Sequence, residues 1–291
     1  MSSHQIHNDE FSIKVNSFGA ELCSVSSKKN KLEYIWQAQK DLWPRYAPNL
    51  FPIVGKLKEG NYSFQNNIYQ LPQHGFARDC EFTCVEKKDD TLIFELKSSE
   101  ETLKHYPFDF TFQIIYTLLE NRLITEYKIY NPTQSLLYFS VGAHPAFNCP
   151  LQKNELFEDY ILEFPDINTL EINELNNGLI KSNTKNIFLK KNKLNISTSL
   201  FENDALVLTN YQINKIRLVS SKSKHGVEMN CKNWPYFGIW TKKNSEKFIC
   251  LEPWHGIADF ETSSQKLNEK AGIIELKPEQ HFNCSFEILF F

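Results

Sequence analysis

An all-β fold, one large antiparallel β-sandwich with few short helices, is what this sequence predicts, on three observations. Aromatic residues make up 14% of 291 residues, with 23 Phe, 12 Tyr and 5 Trp, and flat, stiff side chains pack well on a pleated surface. Apolar residues recur at every second position in one segment after another, the period of a strand with one buried face. Turn residues separate these segments at even spacing, as in antiparallel sandwiches and barrels.

In chain order, Phe11 to Val15 is a first short alternation and Thr91 to Leu96 another. Helical patterning is scarce: Ser99 to His105 has room for one or two turns before Pro107 stops them. The clearest strand follows, with Phe108, Phe110, Phe112, Ile114, Tyr116 and Leu118 apolar at alternate positions. After a Glu120-Asn121 turn, Leu123, Thr125, Tyr127 and Ile129 alternate against Arg122, Glu126 and Lys128, as the return strand of a hairpin does. Tyr160 to Phe164 repeats the pattern, whereas 173–199 is Asn- and Lys-rich and reads as peripheral strands and loops, with Ile187, Leu189, Leu194 and Ile196 in alternation. Further strands are expected at Ala205 to Leu208, Ile216 to Val219, Ile249 to Leu251 and Phe282 to Phe290. With no repeat, Gly/Ser linker or charge block to divide them, residues 1–291 read as a single two-layer domain.

A formal net charge of −3, from 32 basic and 35 acidic residues, lacks the positive excess of a nucleic-acid binder. No apolar run approaches the ~20 residues that span a bilayer. The N-terminal residues lack the basic and apolar regions of a secretory signal, so the expected location is cytoplasmic. The seven Cys are odd in number and scattered, which suits free thiols rather than a disulfide framework.

Four segments set chemically capable residues beside Gly or Pro within apolar surroundings. His74 precedes Gly75, so it is either a turn histidine or one aimed into a cleft by a sharp backbone turn. His144, after the small and apolar run Val141-Gly142-Ala143, would be desolvated, as a satisfied core histidine or a tuned acid. Asp204 opens the strand Ala205 to Leu208 as a turn former or a hydroxyl acceptor. Glu252 ends the apolar run Phe248 to Leu251, with Pro253 expected to halt strand pairing. An unpartnered buried Glu is costly, which makes it the strongest single-site signal in the chain. Glu252-x-x-His255 has the spacing of a metal motif that works on a helix, which Pro253 opposes, and the Cys and His lack zinc-type spacing, so no metal is expected. The nucleophile elbow G-x-S-x-G and the Gly-rich phosphate loops are absent, which removes serine hydrolase and nucleotide chemistry.

Taken in order, Phe18-Gly19-Ala20-Glu21-Leu22, Phe51 to Leu57, His74 to Arg78, His144 to Phe147, Asp204-Ala205-Leu206 and Leu251 to Trp254 resemble the aldose 1-epimerase (galactose mutarotase) family, in particular its LacX-like branch. The resemblance implies a β-supersandwich whose concave face holds a cofactor-free site for a small-molecule sugar. It implies Glu252 as catalytic base, His144 as catalytic acid, His74 as a second imidazole at the ring oxygen, and Asp204 as a hydroxyl ligand. Where many relatives have Gly-Arg, this chain has Gly55-Lys56, and Lys is a point charge rather than a two-pronged donor. Lys56 is therefore carried as a substrate ligand, with Arg78 and Arg45 as residues that compensate. Trp234, Tyr236, Phe237, Trp240 and Trp254 flank Glu252 in sequence. Some of them, Trp254 included, are expected at the floor or rim of the cleft and the rest in the core. The expected acid is a His144 cation held by the field of Glu252 or Asp204. A hexose-6-phosphate mutarotase and a non-catalytic sugar-binding protein are the alternatives, and the expected assembly is a monomer or weak homodimer.

Overall fold

The computed structural model describes residues 2–210 and 213–291. Among them, two large antiparallel sheets pack face to face. The nine-stranded sheet runs in the order Lys193–Asn195, Tyr160–Glu163, Lys215–Ser220, Gly226–Asn230, His281–Phe290, Arg122–Tyr130, Thr111–Leu119, Thr91–Lys97 and Thr83–Lys87. The eight-stranded sheet runs Leu179–Phe188, Thr169–Asn176, Leu206–Leu208, Tyr236–Trp240, Phe248–His255, Val141–Ala143 and Asn49–Leu50, with Ala146–Asn148 also paired to Phe248–His255. Ser3–His7, Phe11–Asn16 and Glu21–Ser27 form a three-stranded sheet of their own. No helix of the described residues is long and apolar enough to cross a membrane.

The alternation in the sequence becomes the core directly. Phe112, Ile114, Tyr116 and Leu118 on one strand of the central hairpin, and Leu123, Thr125, Tyr127 and Ile129 on the other, are all buried. Phe51, just past the strand Asn49–Leu50 of the opposite sheet, stacks on Phe112 at 4.8 Å between centroids. The polar groups at this interface are paired, as burial demands: Tyr127 donates to Asn49 Oδ1 (2.6 Å) and Tyr116 to the Ala20 carbonyl (2.8 Å).

Two expectations are corrected. The clearest strand begins at Thr111 rather than Phe108. Phe108 and Phe110 are buried but join an aromatic cluster with Tyr106, so their alternation marks packing outside the ladder. Pro253 does not halt pairing either, because the strand runs Phe248–His255 with Pro253 opposite Phe237. Leu251 donates its N–H to the Pro145 carbonyl (3.3 Å). By the two-residue period Pro253 faces the same side, where the ladder is already broken between Val141–Ala143 and Ala146–Asn148. A missing donor is tolerated at such a break.

The short helix is Glu100–His105, capped by Ser99, whose side chain accepts from the Thr102 N–H. Tyr106 is extended, as a residue before proline prefers.

Candidate functional site

The strand Phe248–His255 is the spine of the site. Its odd residues Ile249 and Leu251 enter the inter-sheet core, while Cys250, Glu252 and Trp254 take the other face, yet these too are buried. What covers them explains two glycines. Gly238 stands opposite Glu252 and Gly142 opposite Trp254 on the flanking strands. A Cβ on Gly238 would lie 2.3 Å from Trp254 Cη2, and one on Gly142 2.7 Å from Trp254 Cδ1. The indole thus lies flat over three strands, held there because both neighbours lack a side chain.

Glu252 is 1% exposed, and its Oε2, like Trp254 Nε1, makes no hydrogen bond within the protein. Burial pushes its carboxyl well above the ordinary range, and the like charge of Asp204 adds to the push. His144, at the break in the neighbouring ladder, places Nε2 3.2 Å from Glu252 Oε2. Its ring is stacked on Trp43 (5.1 Å between centroids) and meets the edge of Trp240 (5.7 Å). His74 closes the group, edge to face with His144 at 5.5 Å.

The expectation of a His144 cation is corrected. The ring is 7% exposed, and burial pushes it down to about 3. Asp204, which was to supply the field, acts instead as a like charge on Glu252. Burial penalises the charged form of both partners, so the Glu252–His144 pair is best described as holding one proton between them.

His74 is fixed in a different way. It and Gly75 both have left-handed backbones (φ 68° and 71°), and a Cβ on Gly75 would sit 2.3 Å from the Phe51 carbonyl oxygen. The imidazole Nδ1 accepts the Gly55 N–H at 3.1 Å. That bond requires a bare Nδ1, so the neutral ring carries its proton on Nε2, and the Gln73 amide beside it, 3.3 Å away, pairs with that proton only when it turns its oxygen rather than its nitrogen to the ring. Burial pushes its pKa well down, which keeps this tautomer neutral.

A buried ion pair steadies the wall beside it. Lys270 Nζ donates to Asp259 Oδ1 (2.8 Å) and the Ile257 carbonyl (2.7 Å), while Asp259 Oδ2 accepts the Lys58 N–H (3.0 Å). These contacts tie the loop bearing Ala258 to the Gly55 segment, where a Cβ on Gly55 would lie 2.5 Å from Ala258 Cα.

Together these groups line a cavity of about 450 Å³. The structure brings Glu252, His144, His74, Asp204, Arg78 and Trp254 into its wall, and leaves Lys56 out. The Lys56 ammonium donates to the Asn177 carbonyl (2.9 Å), and its chain packs on Gly178. Arg45 is also outside the wall, paired to Asp79 at 2.9 Å. Arg78 donates to the Gln73 carbonyl (2.5 Å), has a buried Nε without a partner, and is lowered to about 10 by burial. Asp204 sits on the rim with φ 81°, its Oδ1 accepting the Ala205 N–H (2.9 Å).

Of the aromatics flanking Glu252, Trp240 and Trp254 line the cavity, whereas Trp234 and Phe237 are core. Trp43 was missed by sequence reasoning, because it lies in the irregular Leu42-Trp43-Pro44 stretch with no period to read. Cys250 was missed as a neighbour too: its Sγ and the ligand atoms of His144 and Glu252 lie within 4.8 Å of one another. These three are the residues that could hold a metal, a grouping assembled across strands and so invisible to spacing. His255, three residues on, takes the opposite face and packs on Trp234 (4.6 Å).

The arrangement can move one proton between two groups 3.2 Å apart, in the wall of a cavity large enough for a small polyol and over an aromatic floor. A family model described as aldose 1-epimerase matches residues 2–283. The chain is 32% identical over 293 residues to the chromosomal protein LacX of Lactococcus lactis subsp. lactis, covering 98% of each chain. Among solved structures it resembles a galactose mutarotase related enzyme from Lactobacillus acidophilus, with TM-score 0.95 and 33% identity over 100% of this chain and 97% of the other. It also resembles a galactose mutarotase-like protein from Lactobacillus casei, with TM-score 0.92 and 28% identity over 100% of both chains.

Proposed function

The chain belongs to the aldose 1-epimerase family, and from that premise we propose that it interconverts the α and β anomers of a free aldohexose by ring opening and reclosure. The observation that carries this reading is Glu252 Oε2 and His144 Nε2 at 3.2 Å, with His74 beside them, in the wall of one cavity.

As sugar hydroxyls enter, the proton the pair holds passes to His144, so that Glu252, now the carboxylate, takes the proton of the C1 hydroxyl while His144 gives its own to the ring oxygen. The C1–O5 bond breaks, O1 becomes the aldehyde oxygen, and the pair still holds one proton. Rotation about C1–C2 presents the other carbonyl face. The same two transfers in reverse close the ring and reset both groups, so no net proton enters or leaves. His74, with Nε2–H as its donor, stabilises the ring oxygen by hydrogen bond rather than by charge. The Trp254 indole offers its face to sugar C–H groups, and the orphaned Glu252 Oε2 and Trp254 Nε1 find partners in sugar hydroxyls.

General acid–base groups contribute ~10² to 10⁴-fold each. Glu252→Gln is therefore expected to slow the equilibration of freshly dissolved α-glucose or α-galactose, followed by polarimetry, by at least ~10²-fold. An unchanged rate removes Glu252 from the chemistry.

A second reading, the same reaction on a hexose 6-phosphate, is favoured by one observation: Arg78 lines the cavity with a buried Nε that makes no hydrogen bond, its nearest carboxylate being Asp79 Oδ2 at 3.7 Å. Asp79, 3.7 Å from Arg78 and 2.9 Å from Arg45, offsets that charge. Running glucose and glucose 6-phosphate side by side in the same polarimetric experiment separates the two. Sugar binding by calorimetry with no anomerisation of either would instead support a non-catalytic sugar-binding protein.

A further inference from the structure

We propose that Cys250, His144 and Glu252 form a site for a thiophilic divalent cation, zinc above all, and that the ion, once seated, reversibly inhibits anomer exchange rather than serving it as a cofactor. The metal site stands on geometry; the inhibition rests on reading Glu252 and His144 as base and acid.

Cys250 and Glu252 are two residues apart on the strand Phe248–His255 and so project from the same face. His144 comes from the break between Val141–Ala143 and Ala146–Asn148, the two short strands that pair with this strand in turn. One ligand atom from each residue lies within 4.8 Å of the other two, and all three residues are buried. Among the described residues no other three His, Cys, Asp or Glu side chains gather in this way. Donors around a tetrahedral zinc, each about 2.0 to 2.3 Å from the ion, stand about 3.5 Å apart. Glu252 Oε2 and His144 Nε2 are already at 3.2 Å, so the site closes with a movement of the Cys250 thiol on the order of 1 Å. Neither Glu252 Oε2 nor His144 Nδ1 makes a hydrogen bond within the protein, so no such bond at those atoms resists the adjustment.

The donor set selects the ion. Thiolate, imidazole and carboxylate together suit zinc, whereas magnesium and calcium take oxygen donors. Charge selects it too. Thiolate and carboxylate bring two negative charges and the neutral imidazole none, so a divalent ion leaves the buried group without net charge, as a desolvated site demands. The thiol proton and the proton held by the pair leave to solvent. Cys250 packs in a cluster with Trp36, Ala146 and Phe248, while His144 and Glu252 stand in the wall of the cavity. The ion therefore enters by the cavity, and water from it fills the fourth position that three protein donors leave open. An ion held there takes up the lone pairs that the proton transfers need: Glu252 can no longer accept from the C1 hydroxyl, and His144 has no proton to give.

Cys250 has no part in those transfers, so substituting it separates the two roles. Co²⁺, a spectroscopic stand-in for zinc, is titrated into the metal-free wild type, Cys250→Ala and Cys250→Ser, alongside zinc calorimetry and polarimetry of α-glucose. In the wild type Co²⁺ should raise a thiolate-to-cobalt charge-transfer band. Zn²⁺ at ~10 times its dissociation constant should slow anomerisation ~10-fold by occupancy alone, and EDTA should restore the rate. Both substitutions should leave the metal-free rate unchanged and abolish the band. They should also weaken zinc at least ~100-fold, since even the partners behind metal ligands are worth ~10 to 100-fold in affinity. Cys250→Ser keeps the size of the side chain, which covers an alanine protein that fails to fold. The inference is overturned if the wild type shows no band, or if Zn²⁺ binds and slows all three proteins alike, as it would through other cysteines. A band that depends on Cys250 with a rate indifferent to zinc refutes the inhibition. If that band appears but the metal-free wild type anomerises no sugar, the catalytic reading fails while the metal site stands.

Discussion

The chemistry is concentrated in a few side chains whose proton affinities are set by burial. Burial pushes Glu252 up and His144 down to about 3, so the pair, 3.2 Å apart, is described as holding one proton. Burial of neutral imidazoles also has a stability consequence, seen most cleanly at His255, which lies outside the cavity against Trp234 and Phe282. Its folded pKa, about 4, is below the ordinary 6.5 because of burial. Its contribution to stability is therefore full above pH 6.5 and lost as pH falls toward 4. The wild-type protein should lose more stability between pH 7 and pH 5 than His255→Phe, by up to about 2 kcal/mol in urea unfolding. Equal pH dependence of the two proteins would show that His255 is not held neutral.

At the level of single strands, the site exists because Phe248–His255 alternates between two buried faces and its neighbours leave room on one of them. Gly238 is the sharpest instance, since any Cβ there enters the Trp254 ring. Gly238→Ala should tilt the indole off its seat. Overpacking of this kind costs about 1 to 3 kcal/mol, and the displaced floor should weaken glucose binding ~10-fold by calorimetry. Wild-type affinity in a folded Gly238→Ala protein would mean that the sugar does not rest on Trp254. The buried Lys270–Asp259 pair acts on the same principle from the other side, fixing the loop that carries Ala258 against Gly55.

At the scale of the molecule, the two-layer frame was legible in the sequence wherever one face of a strand meets the core. The hairpin Thr111–Leu119 and Arg122–Tyr130 shows this best, its period of two surviving intact as buried and half-buried positions. The period failed where burial is not that of a ladder: Phe108 and Phe110 alternate in a loop cluster, and Phe248–His255 is buried on both faces and so has no alternation to read. Glu252 was legible because a carboxylate in such a run is costly, and His74 because Gly75 follows it. Trp43, Cys250 and the displacement of Lys56 to the Asn177 carbonyl were not, because each depends on which distant strands become neighbours. The acid's charge was misjudged for a similar reason, since burial outweighs the field of nearby carboxylates and cannot be summed from spacing. What joins the three scales is a single claim, that His74, His144 and Glu252 meet at one anomeric carbon. A crystal structure with glucose bound tests it most directly. The account predicts the C1 hydroxyl within ~3.2 Å of the Glu252 carboxylate, and the ring oxygen within the same hydrogen-bond reach of His144 or His74. A glucose ordered in the cavity with C1 turned toward Arg78 or solvent, away from all three, would contradict it.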